Sequence, residues 1–79
     1  MKIRVRLYGT LGNDIPGHDP LKGMVLEIPE GSNTGDLMDR LAIPRKKVGI
    51  ISVDGSLAKA SKQLYSNNVV RIYRPIAGG

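Results

Sequence analysis

The chain has 79 residues, which is enough for one small domain and too few for an enclosed active site in addition to a core. It contains no cysteine, phenylalanine or tryptophan, so disulfides, thiolate zinc sites and thiol nucleophiles are excluded and the core must be mainly aliphatic. Twelve Lys and Arg against seven Asp and Glu give a net charge of +5, which is typical of a solvated basic surface and compatible with an acidic protein partner or with nucleic acid.

The N-terminal segment predicts neither export nor membrane insertion. Residues 1–7 alternate charged with apolar side chains, whereas a signal peptide needs a continuous apolar stretch of about 7 to 15 residues. No part of the chain approaches the roughly 18 consecutive apolar residues of a membrane-spanning helix. We therefore expect a cytoplasmic protein without a membrane partner, and the lack of cysteine fits a reducing compartment.

Two strands joined by a long loop are predicted at the start of the chain. In residues 2–7, Lys or Arg alternates with Ile, Val or Leu, and this period of two predicts a strand with one buried face and one basic face. Residues 9–23 are rich in Gly, Pro, Asn and Asp, which is typical of a loop. The alternating run 24–28 predicts the second strand, which ends at Pro29.

A short amphipathic helix is predicted over residues 34–41. Ser32, Asn33 and Thr34 are three candidate N-caps, and the pattern leaves the choice among them open. Pro44 ends the helix, because the proline ring disfavours helical geometry at the residue before it.

The basic run 45–47 after the helix is most simply a solvated connector, and its charge suits the negative end of the helix dipole. Residues 48–53 are apolar enough for a central strand, although Gly49 weakens that prediction. Asp and Gly at 54–55 are a strong two-residue hairpin signal. Residues 57–60 fit a short strand or an irregular return equally well.

A turn at 66–68 and a last strand at 69–73 complete the elements, and one face of that strand should carry Val70 and Ile72. The chain shows no internal repeat and no linker. The order of strands and helix predicts a single α+β domain in which one mixed sheet packs on one helix.

The candidate functional site lies in residues 74–79, which read Arg-Pro-Ile-Ala-Gly-Gly. Because glycine has no Cβ, Gly78 and Gly79 can extend through a channel too narrow for side chains and carry a carboxylate to a buried site in another protein. Pro75 fixes its own φ and favours an extended arm. The alternative is an ordinary frayed terminus.

Nearly the whole chain resembles the MoaD/ThiS family of sulfur carriers. Four stretches carry the resemblance: IRVRLYG at 3–9, IPEGSNTGDL at 28–37, IISVDG at 50–55 and VVRIYRPIAGG at 69–79. Their combination is much more specific than a diglycine alone.

The resemblance implies a ubiquitin-like β-grasp domain over residues 1–74, with a mixed sheet of about four to five strands packed on one helix, and a projecting tail over 75–79. An E1-like activating enzyme would use ATP and magnesium to adenylate the carboxylate of Gly79, and a sulfur donor would convert it to a thiocarboxylate. An acceptor enzyme or large synthase subunit of molybdopterin or thiamine biosynthesis would receive the sulfur. The chain itself would need no bound cofactor, no metal and no catalytic residue. The tail residues entering the partner's active site would be Pro75, Ile76, Ala77 and Gly78.

In this fold the first and last strands are neighbours, which would bring four basic side chains together on the outer face of the sheet. Members of the family commonly dock their partners through a more apolar surface there, so a basic face predicts salt-sensitive docking of an acidic partner. A solvated strand face is the alternative. The four residues are Lys2, Arg4, Arg6 and Arg71.

Three other features depart from the family pattern. Arg74 stands where a second proline is common before Pro75, which predicts a somewhat less rigid arm. Asn67 stands where glycine is usual, and asparagine also accepts positive φ. The loop over 9–23 is longer than in thiamine-type carriers and closer in length to molybdopterin-type ones.

Three other classes of function compete with the carrier. An enzyme would need more than His18, the single histidine, which has no partner at a catalytic or metal-ligand spacing. A nucleic-acid-binding module would rest on the basic strand face, residues 45–47 and Tyr73 as a stacking surface, but an interleaved aromatic platform is missing. In a ubiquitin-like modifier, Gly79 would be joined to a lysine of another protein, and the shared activation step leaves this alternative open.

Overall fold

The computed structural model describes residues 1–13 and 15–75. Within them the chain forms one helix and five strands, which we number in chain order, and two 3-10 turns at Gly9–Gly12 and Arg45–Lys47. The α-helix has seven residues, and no helix in the described residues is long and apolar enough to cross a membrane. The elements are β1 Lys2–Leu7, β2 Met24–Glu27, α1 Thr34–Arg40, β3 Ile50–Val53, β4 Ser56–Ala58 and β5 Val69–Tyr73.

The strands form one mixed sheet in the order β2-β1-β5-β3-β4. β1 and β5 pair in parallel at its centre, with Arg6 opposite Arg71, and the other three pairings are antiparallel. The first and last strands are therefore neighbours, as the resemblance implied. The number of strands and the single helix match the predicted α+β architecture.

The core lies between the inner face of the sheet and α1. Alternation in β1 buries Ile3, Val5 and Leu7, each at most 3% exposed, while their neighbours along the strand point to the other face. Val70 and Ile72 of β5 are fully buried on the same side, which confirms the predicted inner face of that strand. The helix contributes its buried residues to the same cluster.

The helix begins at a capping box and ends at a Schellman motif. Asn33 is the N-cap: its Oδ1 accepts from the N–H of Asp36 at 2.8 Å, and the carboxylate of Asp36 accepts from the N–H of Asn33 at 2.9 Å. At the other end, Ile43 donates to the carbonyl of Met38 at 3.0 Å and Ala42 lies at φ 58°. The helix is one residue shorter than predicted.

The hairpin after β3 is confirmed. Asp54 and Gly55 have φ of 50° and 88°, the positive values that a type I′ turn requires at both central positions. The hairpin pairs β3 with β4, so the undecided segment 57–60 begins inside a short strand. Asn67 adopts φ 69°, the left-handed geometry predicted for an asparagine at that turn.

Two strand boundaries were wrong. β3 begins at Ile50 instead of residue 48, because the N–H of Val48 closes the preceding 3-10 turn on Arg45 at 3.0 Å. β2 ends at Glu27, one residue earlier than predicted. The division into a domain over 1–74 and a tail over 75–79 stays a prediction, because residues 76–79 lie outside the described residues.

His18 ties the long loop to the sheet. Its Nε2 accepts a hydrogen bond from the backbone N–H of Leu7 at 3.0 Å, near the end of β1 and beyond the residues that β2 pairs. The loop also contains the first 3-10 turn, which buries Leu11. The imidazole of His18 therefore satisfies the backbone N–H of Leu7, and its Nε2 is used as a hydrogen-bond acceptor within the fold.

We expect Ala42→Gly to raise the free energy of unfolding by about 1 kcal/mol, because an L-residue in left-handed geometry carries a steric cost that glycine avoids. Urea unfolding followed by circular dichroism measures the difference. Ala60→Gly is the matched control: Ala60 has no positive φ, so the same substitution should lower stability. Equal losses in both variants would contradict the role given to Ala42.

Candidate functional site

The base of the tail is fixed to the sheet on both sides. On one side the N–H of Tyr8 donates to the carbonyl of Ile72 at 3.0 Å, and on the other the N–H of Gly49 donates to the carbonyl of Tyr73 at 2.8 Å. Arg74 and Pro75 follow immediately and are both exposed. The chain thus leaves the centre of the sheet from a hydrogen-bonded position, since β5 lies between β1 and β3.

Gly49 allows the tail base to lie directly against the backbone. A Cβ at this position would stand 2.6 Å from the carbonyl oxygen of Arg74 and 2.7 Å from Cα of Pro75, closer than real Cβ atoms approach backbone. The glycine that weakened the strand prediction is therefore a point of close chain approach.

Gly9 lies against the same segment from the other direction. It adopts φ 64°, and a Cβ there would stand 2.8 Å from Cδ of the Arg74 side chain. The aliphatic part of Arg74 thus covers Gly9, while the backbone of Arg74 and Pro75 covers Gly49. The two glycines flank the tail base and leave room for it.

Of the predicted tail residues, the structure places Pro75 and leaves the rest outside the described residues. Those are Ile76, Ala77, Gly78 and Gly79. Their roles stay predictions.

The four predicted basic residues share the outer face of the sheet. Lys2, Arg4 and Arg6 alternate with the buried residues of β1, and Arg71 is the cross-strand partner of Arg6. Lys2 lies opposite Glu27 of β2, and Arg4 donates to a backbone carbonyl of the long loop at 3.0 Å.

Arg6 and Arg71 place two like charges side by side. The Nε of Arg6 is buried and has no hydrogen-bond partner among the described residues. The two ion pairs found there involve other residues. The basic character that the alternation of β1 predicted therefore extends across the face, and Arg6 and Arg71 are its two directly opposed cations.

Two tyrosines complete the face. Tyr8 and Tyr73 stack with ring centroids 4.3 Å apart and an interplanar angle of 14°, and the guanidinium of Arg6 lies 4.9 Å from the centroid of Tyr8. Burial and the adjacent Tyr8 hydroxyl raise the pKa of Tyr73 above its ordinary value of 10.0, against the smaller opposing influence of Arg71 and Arg6.

The predicted use of Tyr73 as an open stacking surface needs correction, because one of its ring faces is already covered by Tyr8. Sequence reasoning missed the pair. The sequence signal that could have found it is the alternation of side chains along a strand: Tyr8 follows Arg6 by two positions, and Tyr73 follows Arg71 by two positions. Both rings therefore lie on the face that carries the paired arginines.

The outer face also carries apolar side chains on its other half. Ile50 lies opposite Tyr73 and is 45% exposed, and Leu57 lies opposite Ser52 and is 79% exposed. The sequence predicted a basic face in place of an apolar one. The structure instead joins a basic half on β1 to an apolar half on β3 and β4, with Arg71 between them.

Metal-ligating side chains do not gather anywhere in residues 1–13 and 15–75: no group of three or more His, Cys, Asp or Glu is positioned to hold an ion. The predicted site residues that the structure describes thus lie at the tail base and on the outer sheet face.

No protein-family model matches the chain, and no curated protein matches it. Among solved structures, it is similar to SAMP1 from Haloferax volcanii, with a TM-score of 0.70 and 12% identity over 100% of both chains. A putative molybdopterin converting factor subunit 1 from Pyrococcus furiosus has a TM-score of 0.69 and 20% identity, over 96% of this chain and 99% of that one.

A complex of subunits 1 and 2 of the molybdopterin-converting factor from Helicobacter pylori is also similar, with a TM-score of 0.57 and 20% identity over 100% of both chains. At such identities the likeness shows the fold. The chain has the ubiquitin-like β-grasp fold that the family resemblance implied, with five strands and one helix in the described residues.

Proposed function

We propose that this protein is a sulfur carrier that presents the carboxylate of Gly79 to other enzymes and is not itself a catalyst. The observation that carries the proposal is the tail base: Arg74 and Pro75 lie flush against Gly49, one step before the segment that contains Gly78 and Gly79. A fold shared with SAMP1 and with molybdopterin converting factor subunit 1 supports the same proposal.

The chemistry requires activation, because a carboxylate is a poor electrophile until it bears a good leaving group. An E1-like enzyme, using ATP and magnesium, would let the Gly79 carboxylate attack the α-phosphorus of ATP, with release of pyrophosphate. Hydrosulfide released by a sulfur donor would then attack the acyl carbon of the adenylate, form the new C–S bond and displace AMP, which leaves a thiocarboxylate. The thiocarboxylate sulfur is the nucleophile that reaches the final acceptor.

This chain contributes shape and reach to that cycle. Glycine at 78 and 79 lets the carboxylate pass through a narrow channel, and Pro75 restricts the backbone where the tail departs. Ile76 and Ala77 would enter the partner's active site together with Pro75 and Gly78. ATP and magnesium belong to the activating enzyme, in a cytoplasmic setting, and nothing in this chain needs to hold them.

The acceptor we propose is a large synthase subunit of the molybdopterin type. Two of the similar structures are named as molybdopterin converting factor, and the Helicobacter pylori structure is a complex of its two subunits. The length of the loop over 9–23 favours the same choice over a thiamine-type acceptor.

A second candidate is a ubiquitin-like modifier, which the similarity to the Haloferax volcanii small archaeal modifier protein 1 favours. Activation of Gly79 would be the same, and the acyl group would end on a lysine of another protein. Isopeptide conjugates that contain the C-terminal peptide, found in cells by mass spectrometry, distinguish this outcome from sulfur transfer.

The outer sheet face is the docking surface in this proposal. Its basic half attracts acidic groups over a long range, and its apolar half, with Ile50 and Leu57, offers contact area once the partner has docked. The side-by-side arginines at 6 and 71 would then be neutralised by carboxylates of the activating enzyme.

Incubation with ATP, magnesium, a sulfur source and a candidate activating enzyme should convert Gly79 to a thiocarboxylate. Intact mass spectrometry with fragmentation of the C-terminal peptide measures this and also reports whether Gly79 carries a free carboxylate beforehand. Oxygen-for-sulfur exchange nearly matches methionine oxidation in mass, so only a shift localised to Gly79 or trapped by a thiol-reactive reagent counts. An unmodified Gly79, with the enzyme active on another carrier, would refute the proposal.

Gly49→Ala should slow thiocarboxylation roughly ten- to hundredfold, because the added Cβ displaces the tail base and misplacement of a reacting group by about 1 Å costs rate on this scale. Gly31→Ala is the control, since Gly31 has φ 86° with open space around it and loses backbone stability without touching the tail. If Gly49→Ala were modified at the normal rate, the tail base would have no positioning role.

Replacing Arg4 and Arg71 by glutamine should raise the KM for adenylation about five- to tenfold at low salt and flatten its salt dependence, since each lost charge contributes roughly 0.5 to 0.7 kcal/mol. The control is the double variant Lys59→Gln with Lys62→Gln, which removes the same charge from exposed residues outside the sheet face and should leave the KM nearly unchanged. A wild-type KM that does not change with salt would exclude docking through the basic half of this face.

A further inference from the structure

A groove opens beside the tail base, and the proposed function above does not use it. It has a volume of about 530 Å³ and lies between the first 3-10 turn, the segment after α1 and the second 3-10 turn. Arg74 and Pro75 form one edge of it. Four separate parts of the chain thus meet at this point.

The floor of the groove is aliphatic. Leu11 and Ile43 are 9% and 7% exposed, and Ile15 is half-buried and packs against the core cluster. Ile43 reaches this position because the left-handed residue Ala42 turns the chain at the end of α1. An aliphatic side chain placed in the groove would meet these residues.

The rim is basic. Lys46 and Lys47 line the groove from the second 3-10 turn and Arg74 lines it from the tail base, and all three are exposed. Arg45, which begins the same basic run, is used elsewhere: it pairs with Asp39 at 3.5 Å and donates to the carbonyl of Gly35 at 3.2 Å. In the basic run 45–47, which was predicted as a solvated connector, Arg45 therefore makes contacts within the fold, whereas Lys46 and Lys47 line the groove.

The described lining of the groove contains no acidic side chain. Lys46, Lys47 and Arg74 also take no part in the two ion pairs found within residues 1–13 and 15–75. Asp14 lies between two lining residues in the sequence and outside the described residues. A positive rim around an apolar floor is complementary to carboxylates that flank an aliphatic side chain.

We infer that this groove binds a short acidic segment with a leucine or isoleucine anchor, supplied by the protein that receives the tail. The identity of that protein rests on the proposed function; the chemistry of the groove does not. Arg74 and Pro75 belong to both the groove and the tail base, so a partner that encloses the tail must approach the groove edge.

A short segment binds such a small surface weakly by itself. Held next to an inserted tail, it gains effective concentration, and the two contacts together strengthen the complex. The groove and the outer sheet face also lie at the same tail base, since Tyr73 is followed directly by Arg74. The partner can therefore contact both the groove and the outer sheet face, on two sides of the strand β5 that precedes the tail.

A nucleic-acid phosphate would be attracted by the same rim, but it makes no use of an aliphatic floor. The described lining of the groove contains no aromatic side chain on which a base could stack. The acidic peptide is accordingly the occupant that uses both parts of the groove, and an oligonucleotide serves as the competing probe.

The test is an NMR titration of the isotope-labelled full chain, without ATP or any enzyme, with the capped peptide Asp-Glu-Leu-Asp-Ile-Glu. We expect chemical-shift changes at the backbone amides of the groove residues Leu11, Ile15, Ile43, Lys46 and Lys47. The Kd for the peptide should be on the order of 0.1 to 1 mM. The peptide in which Asn and Gln replace Asp and Glu should bind at least fivefold more weakly.

The variant Lys46→Gln with Lys47→Gln should weaken peptide binding at least fivefold, whereas Lys59→Gln with Lys62→Gln should change it less than twofold. Shift changes confined to the outer sheet face, equal losses in both variants, or no shift changes at all would overturn the inference. Tighter binding of a single-stranded oligonucleotide at the same amides would also overturn it. Because the titration needs no activation of Gly79, it stands or falls separately from the thiocarboxylate experiment.

Discussion

The parallel pairing of β1 with β5 is the interaction on which the tail depends. It joins the first strand of the chain to the last at the centre of the sheet, with Val5 and Val70 paired and fully buried beneath it. Parallel strands need a long connection between them, and here every other element of the described residues lies within it. The tail base is therefore held in place only when the whole domain has folded.

Local chemistry explains which parts of the fold could be predicted. Strand alternation buries Val70 and Ile72 as expected, and Asp54-Gly55 forms the hairpin because its backbone preference is a property of two adjacent residues. The N-cap was open because three neighbouring residues could all accept a backbone hydrogen bond. The structure selects Asn33, since only its geometry closes the box with Asp36.

Long-range contacts explain what the sequence could not show. Gly49 weakened the prediction of a strand because nothing near it in the chain requires a glycine, yet the tail base crosses it in the fold. The groove could not be predicted either, because its lining comes from four segments that are brought together only in the fold. The basic residues of β1 were predicted as a face by their alternation, whereas the Tyr8–Tyr73 stack needs the register of β1 against β5 as well.

The fit between the tail base and its two glycines has a consequence for protein engineering. A segment grafted from another protein onto this domain in place of Arg74 and Pro75 would bring a new side chain to position 74, and that side chain would have to lie over Gly9 as the Arg74 side chain does. Conversely, this tail grafted onto a scaffold with larger residues at the positions of Gly9 and Gly49 would depart from the sheet along a different line. The tail base and its two supporting glycines are one transferable unit, and an exchange should move them together.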